Sequence, residues 1–455
     1  GQPSVTDLST AISNPFSDQG KPVAIAGGPE STVPGTRIEV TGLRMSITPP
    51  AGYHGQLVVT YTAVDATGSP SRSVKGTVTV TVRDKPDAPT AVTAETHLSR
   101  TATVSWTAGA NNGAPITDFT VSWRSADGGA NGSRSCGAVT TCLITTLSNN
   151  HSYSFTVTAV NEVGESAASA GSAAVRPDVK PNPPGTPIAE FGDKQASLSW
   201  AAAEVPDGGS PVRTYTVQVS PGGATQQVSG TSMVWSGLTN GTAYTFRIQA
   251  HNDDPNPSDW SASSVPVVPA GVPLQPAAPQ AVKDAASPLP PSVTVRWGAP
   301  GGNGDDNLTY EMRRTGTESV LYSGSGLSTK VTMSVSESNQ SFEVRARNKA
   351  GWGNWSPASN AVRAFQPPGA PTGFRLTPTG DGTRARFDFG AAAGNGARSG
   401  EISYRWSAGG ASGTVGAGDV VNSSAFALGD DVRVSLRAIS TIDGETAEGP
   451  AVTAT

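Results

Sequence analysis

The sequence predicts an all-β protein built as a linear array of β-sandwiches, and three observations support this prediction. One short pattern of alternating apolar residues recurs along the chain, and its first copy runs from Leu147 to Gly164. A tryptophan precedes each of three copies, at intervals of roughly 95 residues. The 53 glycines and 36 prolines suit a protein with many turns and stay below the share typical of disordered chains. A repeat of this length indicates several similar units, each with its own core.

The recurring pattern has the period of a half-buried strand. In the first copy, Tyr153, Phe155, Val157 and Ala159 alternate with small polar residues, which predicts a strand with one buried face. The copies are Leu147, Tyr153, Phe155, Val157, Ala159, Asn161 and Gly164; Leu238, Tyr244, Phe246, Ile248, Ala250 and Asn252; Phe342, Val344, Ala346, Asn348 and Gly351; and a degenerate Val432, Val434, Leu436 and Ala438.

The preceding tryptophans predict the opposite wall of each core. Val104 and Trp106 alternate across Ser105, so they form a second strand that can face the first. A buried tryptophan that packs on a second sheet fills the core of a sandwich of about 100 residues. The equivalent positions are Trp106, Trp200, Trp297 and, in the last copy, Phe389.

Together these residues resemble the fibronectin type III family over about residues 86–455. The spacing from Leu147 to Tyr153 resembles the tyrosine corner, in which the phenol bonds to upstream backbone. The resemblance implies immunoglobulin-like β-sandwiches at 86–177, 178–270, 271–366 and, in degenerate form, 367–455. Gln340 and Val432 replace the tyrosine in the last two units, so we expect neither unit to form this bond.

Residues 1–85 lack the pattern but also read as strands and turns. Alternation predicts strands at Arg37–Val40, Leu57–Ala63 and Thr77–Val82. Residues 47–55 and 59–68 resemble bacterial immunoglobulin-like or cadherin-like domains, which often bind calcium between neighbours. The available carboxylates, those of Asp65, Asp84 and Asp87, are too scattered for a calcium cage, so we expect no metal site here.

Proline-rich segments separate the predicted domains. They cover Asp84–Pro89, Pro177–Pro187, Pro266–Pro279 and Gln366–Pro371. Such linkers are extended and semi-rigid, which predicts an elongated chain on the order of 150–180 Å long.

The two cysteines, Cys136 and Cys142, lie within the second predicted domain. A metal site would need two further ligands that the neighbouring sequence does not supply. A disulfide that closes a small loop is the better interpretation. Paired cysteines at this place also resemble those of fibronectin-type repeats in actinobacterial surface proteins.

The fourth predicted domain carries a cluster of arginines and tryptophans. Arg345 and Arg347 share the outer face of the predicted strand, and Trp352 and Trp355 follow three residues apart, which places both indoles on one side of an extended segment. Together with Ser356, these residues resemble the Trp-Ser-x-Trp-Ser box and arginine ladder of type I cytokine receptors, although Gly353 replaces the first serine. The third domain has a fainter version with Arg247, His251 and Trp260. The cluster either stiffens the sheet or marks a receptor-like domain pair.

Composition and motifs argue against several function classes. A net charge of −5 with 15% charged residues gives no electrostatic footprint for nucleic acid or an anionic membrane. There is no apolar run long enough to span a membrane. The four histidines, at positions 54, 97, 151 and 251, belong to no catalytic motif, and the acidic pairs at 253–254, 305–306 and 430–431 sit among turn residues. We therefore expect no enzyme activity and no cofactor.

The sequence is thus interpreted as part of an extracellular, non-catalytic adhesion or protein-interaction array of a bacterial surface protein of the bifidobacterial multi-repeat type. The receptor-like resemblance implies a protein ligand, such as a host cytokine, bound by a monomer at the elbow of the third and fourth domains. Candidate contacts are Trp260, Asn303, Asp305 and Asp306. Two alternatives remain open: a passive spacer that presents another module, and carbohydrate-adhesion repeats of a secreted enzyme, for which Trp235 would be an exposed platform.

Overall fold

The computed structural model describes residues 2–14, 19–96, 98–284, 291–380, 382–427 and 431–455. These residues form small antiparallel sheets that follow one another in five pairs, and each pair encloses a hydrophobic cluster. We refer to the pairs as units one to five. The predicted all-β array of sandwiches is confirmed.

Unit one pairs the sheets β1-β4-β3 and β2-β5-β6. Its core centres on Met45, Ile47, Leu57 and Val59, all fully buried. The predicted strands are present, each somewhat longer than expected. The strands are β1 (Ser4–Asp7), β2 (Ala24–Ser31), β3 (Arg37–Thr41), β4 (Arg44–Thr48), β5 (Gly55–Val64) and β6 (Ser73–Val82). Short 3-10 turns lie at Leu8–Thr10 and Pro70–Arg72.

Unit two pairs a three-stranded sheet, β11-β8-β7, with a four-stranded sheet, β10-β9-β12-β13. The strands are β7 (Thr90–Glu95), β8 (Ala102–Thr107), β9 (Asp118–Ser125), β10 (Gly132–Ser135), β11 (Thr141–Ile144), β12 (Tyr153–Asn161) and β13 (Gly164–Glu165). The alternation seen in the sequence appears directly in β12, where Tyr153, Phe155, Val157 and Ala159 are all fully buried.

Unit four repeats this arrangement, and unit three differs only in having three strands in each sheet. Unit three pairs β14-β15-β18 with β17-β16-β19, and unit four pairs β20-β21-β24 with β23-β22-β25-β26. The strands of unit three are β14 (Ile188–Gly192), β15 (Gln195–Ser199), β16 (Thr214–Ser220), β17 (Thr225–Val228), β18 (Ser232–Ser236) and β19 (Thr245–His251). Those of unit four are β20 (Gln280–Lys283), β21 (Ser292–Arg296), β22 (Thr309–Arg314), β23 (Val320–Gly324), β24 (Ser328–Thr332), β25 (Phe342–Asn348) and β26 (Gly351–Trp352).

Unit five pairs β27-β28-β31 with β30-β29-β32-β33. Its last strand is unlike those of units two to four, because it is ten residues long and pairs with β32 through the backbone. The strands are β27 (Thr372–Thr379), β28 (Arg384–Gly390), β29 (Ile402–Ala408), β30 (Ala411–Thr414), β31 (Val420–Asn422), β32 (Val434–Ile442) and β33 (Glu445–Ala454). Short 3-10 turns lie at Ser399–Glu401 and Ser424–Phe426.

The tyrosine corners lie where the sequence places them. The hydroxyl of Tyr153 accepts a hydrogen bond from the Ser148 backbone N–H at 3.0 Å, and that of Tyr244 accepts one from Thr239 at 3.2 Å. Gln340 keeps the backbone pairing of this position but has no ring, and its buried amide oxygen has no partner among the described residues.

The aromatic cores follow the predicted positions, with one rearrangement. Trp106, Trp200 and Trp297 are each 6–7% exposed and contact an aromatic ring of the facing sheet. In unit five, Phe389 takes this place, with its ring centroid 4.7 Å from that of Tyr404. An indole in the facing strand, Trp406, enlarges that core; the sequence pattern did not identify it.

The interpretation of Trp235 as an exposed platform is wrong. The side chain is 5% exposed and packs in the core of unit three, with its ring centroid 5.7 Å from that of Phe246. The residue lies on the inner face of β18, where strand alternation turns it toward the facing sheet.

Candidate functional site

The arginines and tryptophans of unit four form one alternating stack. The guanidinium carbon of Arg345 lies 4.6 Å from the ring centroid of Trp352 and 4.5 Å from that of Trp355. The guanidinium carbon of Arg347 lies 5.6 Å from the ring centroid of Trp352, and that of Arg313 lies 4.2 Å from the ring centroid of Trp355. Each indole therefore contacts two guanidinium groups, and each exposed contact is worth roughly 0.5–1 kcal/mol.

Carboxylates on the same sheet face fix the arginines. Arg345 pairs with Glu311 at 2.6 Å, and Arg313 pairs with Glu343 at 3.1 Å. Sequence reasoning missed Arg313, because it lies in β22, some 40 residues before the tryptophans. Its outward position beside Glu343 follows only from the pairing of β22 with β25.

Ser356 holds the segment that carries the indoles. Its hydroxyl accepts a hydrogen bond from the Val344 backbone N–H at 3.0 Å and donates to the Pro357 carbonyl at 2.8 Å. Ser359 does the same with Phe342. Serines spaced three residues apart act likewise in the other units: Ser166, Ser169 and Ser172 in unit two, and Ser258, Ser261 and Ser264 in unit three. A period of three suits an extended polyproline-like segment, so these hydroxyls replace part of a regular strand ladder.

Gly353 interrupts this serine series for a steric reason. A Cβ at this position would lie 2.5 Å from the carbonyl oxygen of Pro273, which belongs to the linker before unit four. The departure from the receptor-like box is therefore a consequence of a docked linker.

The fainter cluster in unit three contains one cation–π pair. Arg247 covers Trp260 at 4.6 Å, and the imidazole Nε2 of His251 lies 2.7 Å from the Thr216 hydroxyl. Trp260 thus lies on the sheet of unit three, where it supports the last segment.

Asn303 and Asp305 lie in the joint between units three and four. The side chain of Asn303 donates to the Val272 carbonyl at 3.0 Å and accepts from Asn240 of unit three at 2.8 Å. The carboxylate of Asp305 accepts the Lys349 backbone N–H at 3.0 Å, and this bond lowers the pKa of Asp305. Asp306 is exposed to solvent.

An asparagine amide fixes each of the first three linkers; Asn161 and Asn348 are buried, and Asn252 is half-buried. The amide of Asn348, 6% exposed, donates to the Gly271 carbonyl of the linker at 2.8 Å and to the Gly302 carbonyl of the adjacent loop at 2.7 Å. Asn161 and Asn252 make the equivalent pairs of bonds in units two and three. The recurring sequence pattern contained these asparagines, but their role depends on contacts with residues 42 to 77 positions away.

An Asn-Gly or Asp-Gly pair forms the loop that meets the preceding unit. Asn303 and Gly304 both have positive φ, at 51° and 101°. A Cβ on Gly304 would lie 2.6 Å from the Pro269 carbonyl oxygen, so only glycine permits this approach. Equivalent pairs with positive φ are Asn112-Gly113, Asp207-Gly208 and Asn395-Gly396. Their spacing of roughly 95 residues is the sequence signal that could have identified these joints.

The joint between units four and five uses charge. Arg363, 5% exposed, pairs with Glu401 at 2.6 Å, and Lys283 pairs with Glu445 at 2.7 Å while its ammonium lies 3.2 Å from the Phe365 ring centroid. The Arg363 guanidinium lowers the pKa of Glu401. Ser440 stands where units two to four have the asparagine, and its buried hydroxyl has no partner among the described residues.

Cys136 and Cys142 form a disulfide in unit two, with their Cα atoms 5.9 Å apart. The bridge connects the end of β10 with β11, and both side chains pack against the core of the unit. It fastens one edge of this unit locally.

The other polar candidates make local contacts. Asp65 accepts from the Thr67 backbone N–H and pairs with Arg72, while Asp253 pairs with Arg213. His151 contacts Asp127 at 3.3 Å. Within the described ranges, no group of three or more metal-ligating side chains is present, and no helix is long and apolar enough to cross a membrane. Two of the predicted positions, His97 and Asp430, lie outside the described residues.

Comparison with known proteins supports two tandem fibronectin type III domains in the middle of the chain. Residues 87–175 and 181–266 match the fibronectin type III domain family. Fibronectin type-III domain-containing protein 3A of Mus musculus is 28% identical over 282 residues, which cover 57% of this chain and 22% of that protein. Chitinase A1 of Niallia circulans is 34% identical over 176 residues, which cover 36% of this chain and 23% of the chitinase. The chain therefore spans less than a quarter of these relatives.

A similar solved structure is that of the chicken CNTN1 FN1-FN3 domains, with 16% identity and a TM-score of 0.24. The match covers 61% of this chain and 97% of that structure. The actinobacterial character of the chain and the immunoglobulin-like or cadherin-like character of unit one stay predictions.

Proposed function

We propose that the chain is a non-catalytic, extracellular protein-interaction array of an actinobacterial-type surface protein, with its main ligand site at the joint of units three and four. The observation that carries this proposal is exposed apolar surface on a fixed backbone. Val272 and Leu274 of the linker are 43% and 60% exposed, and Phe191 of unit three is 41% exposed. The linker backbone is held at Gly271 by Asn348 and at Val272 by Asn303.

A fixed apolar surface of this kind favours protein binding. Apolar side chains that are already ordered lose little conformational freedom on binding, so more of their burial contributes to affinity. Lys349 adds positive charge, because its ammonium lies 4.6 Å from the Phe191 ring and donates to the Val268 carbonyl. The exposed carboxylate of Asp306 lies in the adjacent loop. These features suit a partner with an apolar centre and a mixed-charge rim.

The finer proposal is that the partner is a host protein such as a cytokine, bound by a monomer. The resemblance of the unit-four stack to the receptor box supports it, with the stack as a support and the joint as the contact surface. Trp260, Asn303 and Asp305 would then hold the joint in shape, and Asp306 would contact the ligand. We also propose domain boundaries after residues 85, 177, 270 and 366, and we propose no nucleic-acid partner for this acidic chain.

Surface-plasmon resonance of the full chain against a panel of helical and tumour-necrosis-factor-type cytokines tests this proposal. We expect binding at micromolar concentration or tighter, weakened at least about tenfold in L274D, because a charge would enter the apolar contact. The matched control is V320D. It changes an apolar side chain, 42% exposed, on β23, an edge strand of the four-stranded sheet of unit four. If no cytokine binds, the proposed partner is wrong. If L274D and V320D bind the cytokine equally well, the ligand site is not at this joint.

A passive spacer is the second candidate, and the docked linkers favour it. Asparagine amide bonds at three successive joints would keep a presented module at a constant distance from its anchor. Carbohydrate adhesion has less support, because Phe191 is the only aromatic among the exposed large apolar side chains of the described residues. Trp352 and Trp355 each contact two guanidinium groups, and these contacts compete with the stacking of a sugar ring.

A further inference from the structure

Unit five lacks the tyrosine that forms the tyrosine corner of units two and three. In those units the phenol lies in the core and accepts a backbone N–H from the residue five positions earlier. Val432 stands at this position in unit five, and Ala427 lies five residues before it.

The strand register supports this equivalence. In unit two, Ala159 pairs with Phe119, an aromatic residue of the facing core. In unit five, Ala438 pairs with Tyr404 in the same way. Counting back six residues along the strand from each alanine leads to Tyr153 and to Val432.

Val432 and Ala427 both line a pocket of about 180 Å³. The lining is mostly apolar, and the pocket is partly open to solvent. Its lining residues include Leu376 and Ala385 from the two neighbouring strands, Phe426, and Val434 at the base of β32. Arg384 is the cation at its rim. An engineered apolar cavity of about 150 Å³ holds a benzene molecule, so this pocket has room for one six-membered ring.

We propose that this pocket binds the phenol ring of a tyrosine presented by another polypeptide. The two complete units show that this end of the sandwich accepts a phenol, with a backbone N–H placed for its hydroxyl. Because the pocket is partly open to solvent, a ring can enter it while it stays attached to its own backbone. The site is separate from the joint of units three and four, so it does not depend on the function proposed above.

Methyl NMR of the full chain tests the site directly. Acetyl-Ala-Tyr-Ala-amide, titrated to 10-fold above a dissociation constant on the order of 1 mM, should shift the methyl signals of Leu376, Val432 and Val434. Signals from the cores of the other units should stay in place. The same peptide with phenylalanine should bind at least about threefold more weakly, because it cannot accept the backbone N–H.

Two variants separate the pocket from nonspecific binding. V432Y should fill the pocket with its own phenol, remove the peptide-induced shifts and raise the melting temperature of unit five. V432F serves as a second filling variant if V432Y does not fold. The control is V420Y, which adds a tyrosine at a 51% exposed position of the same unit and should leave peptide binding unchanged.

The alternative outcomes are distinct. Absence of shifts at Leu376, Val432 and Val434 at saturating peptide would overturn the proposal. Shifts with free p-cresol but not with the peptide would assign the pocket to small phenols and overturn the polypeptide ligand. Equal binding of the tyrosine and phenylalanine peptides would overturn the role of the hydroxyl.

Discussion

Units four and five have the same sandwich topology but hold their ends by different means. Unit four fastens its last segment with serine hydroxyls and cation–π contacts, and fixes its linker with the buried amide of Asn348. Unit five uses a ten-residue strand with a backbone ladder, and the ion pair of Arg363 with Glu401 at its joint. The difference shows that the same sandwich can hold its C-terminal segment either by side-chain contacts or by a backbone ladder. Both arrangements meet the one requirement, which is that buried backbone groups find hydrogen-bond partners.

The largest expected effect is the loss of the asparagine amide in unit four. N348A leaves the buried Gly271 carbonyl without its amide donor and the Gly302 carbonyl with only the Asp305 backbone N–H, so we expect a destabilisation of unit four by about 2 kcal/mol and faster hydrogen exchange at residues 271–274. S440A, at the matching position of unit five, removes a hydroxyl without a described partner and should change stability by less than about 0.5 kcal/mol. Unit-resolved hydrogen exchange by mass spectrometry measures both; similar losses in the two variants would contradict the comparison.

The next largest loss of stability is expected when Gly304, in the loop at the joint of units three and four, is replaced. G304A introduces a Cβ against the Pro269 carbonyl at a positive φ, so we expect about 2 kcal/mol more destabilisation than for G208A. At Gly208 the φ is also positive, but no atom lies within 4 Å of the added Cβ. Thermal unfolding of the two variants, compared with the parent chain, tests whether backbone contact at the joint matters beyond local strain.

We expect the arginine–tryptophan contacts of unit four to contribute more to the free energy of unfolding than those of unit three. W355A removes contacts with Arg313 and Arg345, for an expected loss of about 1–2 kcal/mol, whereas W260A removes one contact with Arg247 and should cost about half as much. Chemical denaturation followed by unit-specific hydrogen exchange gives both values. Equal losses would mean that the second arginine adds nothing.

The negative charge of Glu401, at the joint of units four and five, can be removed without changing the size of the side chain. E401Q leaves Arg363 buried without its counter-charge, so the backbone N–H groups of Gln366 and Gly369 should exchange roughly tenfold faster. Exchange at residues 271–274 of the preceding joint serves as the internal control and should not change. An unchanged rate at Gly369 would show that backbone bonds alone hold this linker.

The smallest expected effect concerns acid stability within unit four. Lys330, with help from the Ser292 and Thr294 hydroxyls, lowers the pKa of Asp284 to about 2. Because the folded-state pKa lies below the unfolded value, this contribution is complete above about pH 4 and is lost as the pH falls toward 2. D284N should remove on the order of 1 kcal/mol at pH 7 and almost nothing at pH 2. Urea titrations of the two proteins at both pH values measure this difference, and a constant difference would rule out the titration of Asp284 as its cause.

Sequence reasoning located the strands and cores well because both depend on local patterns. The alternation of β12 and the recurring tryptophans directly specify which face of each strand is buried. The same reasoning was wrong about Trp235, since a single indole gives no indication of which face of its strand it occupies. It also missed Trp406, because that indole lies in β29, on the sheet that faces Phe389, and not at the position of the recurring tryptophan.

The candidate sites were only partly accessible from the sequence. Arg345, Arg347, Trp352 and Trp355 lie close together in the chain, so their stacking could be anticipated from alternation. Arg313 could not be assigned to the stack without the register of β22 and β25.

By itself, the sequence determined the number of repeats, the buried face of the recurring strands and the position of the missing tyrosine, because each is encoded by residues only a few positions apart. The tertiary structure decided how the units meet. Asn348, Gly304 and Arg363 act through partners that lie on other loops, and their partners depend on how those loops approach one another. The pocket beside Val432 has the same origin, since its walls come from strands that adjoin only in the folded sandwich.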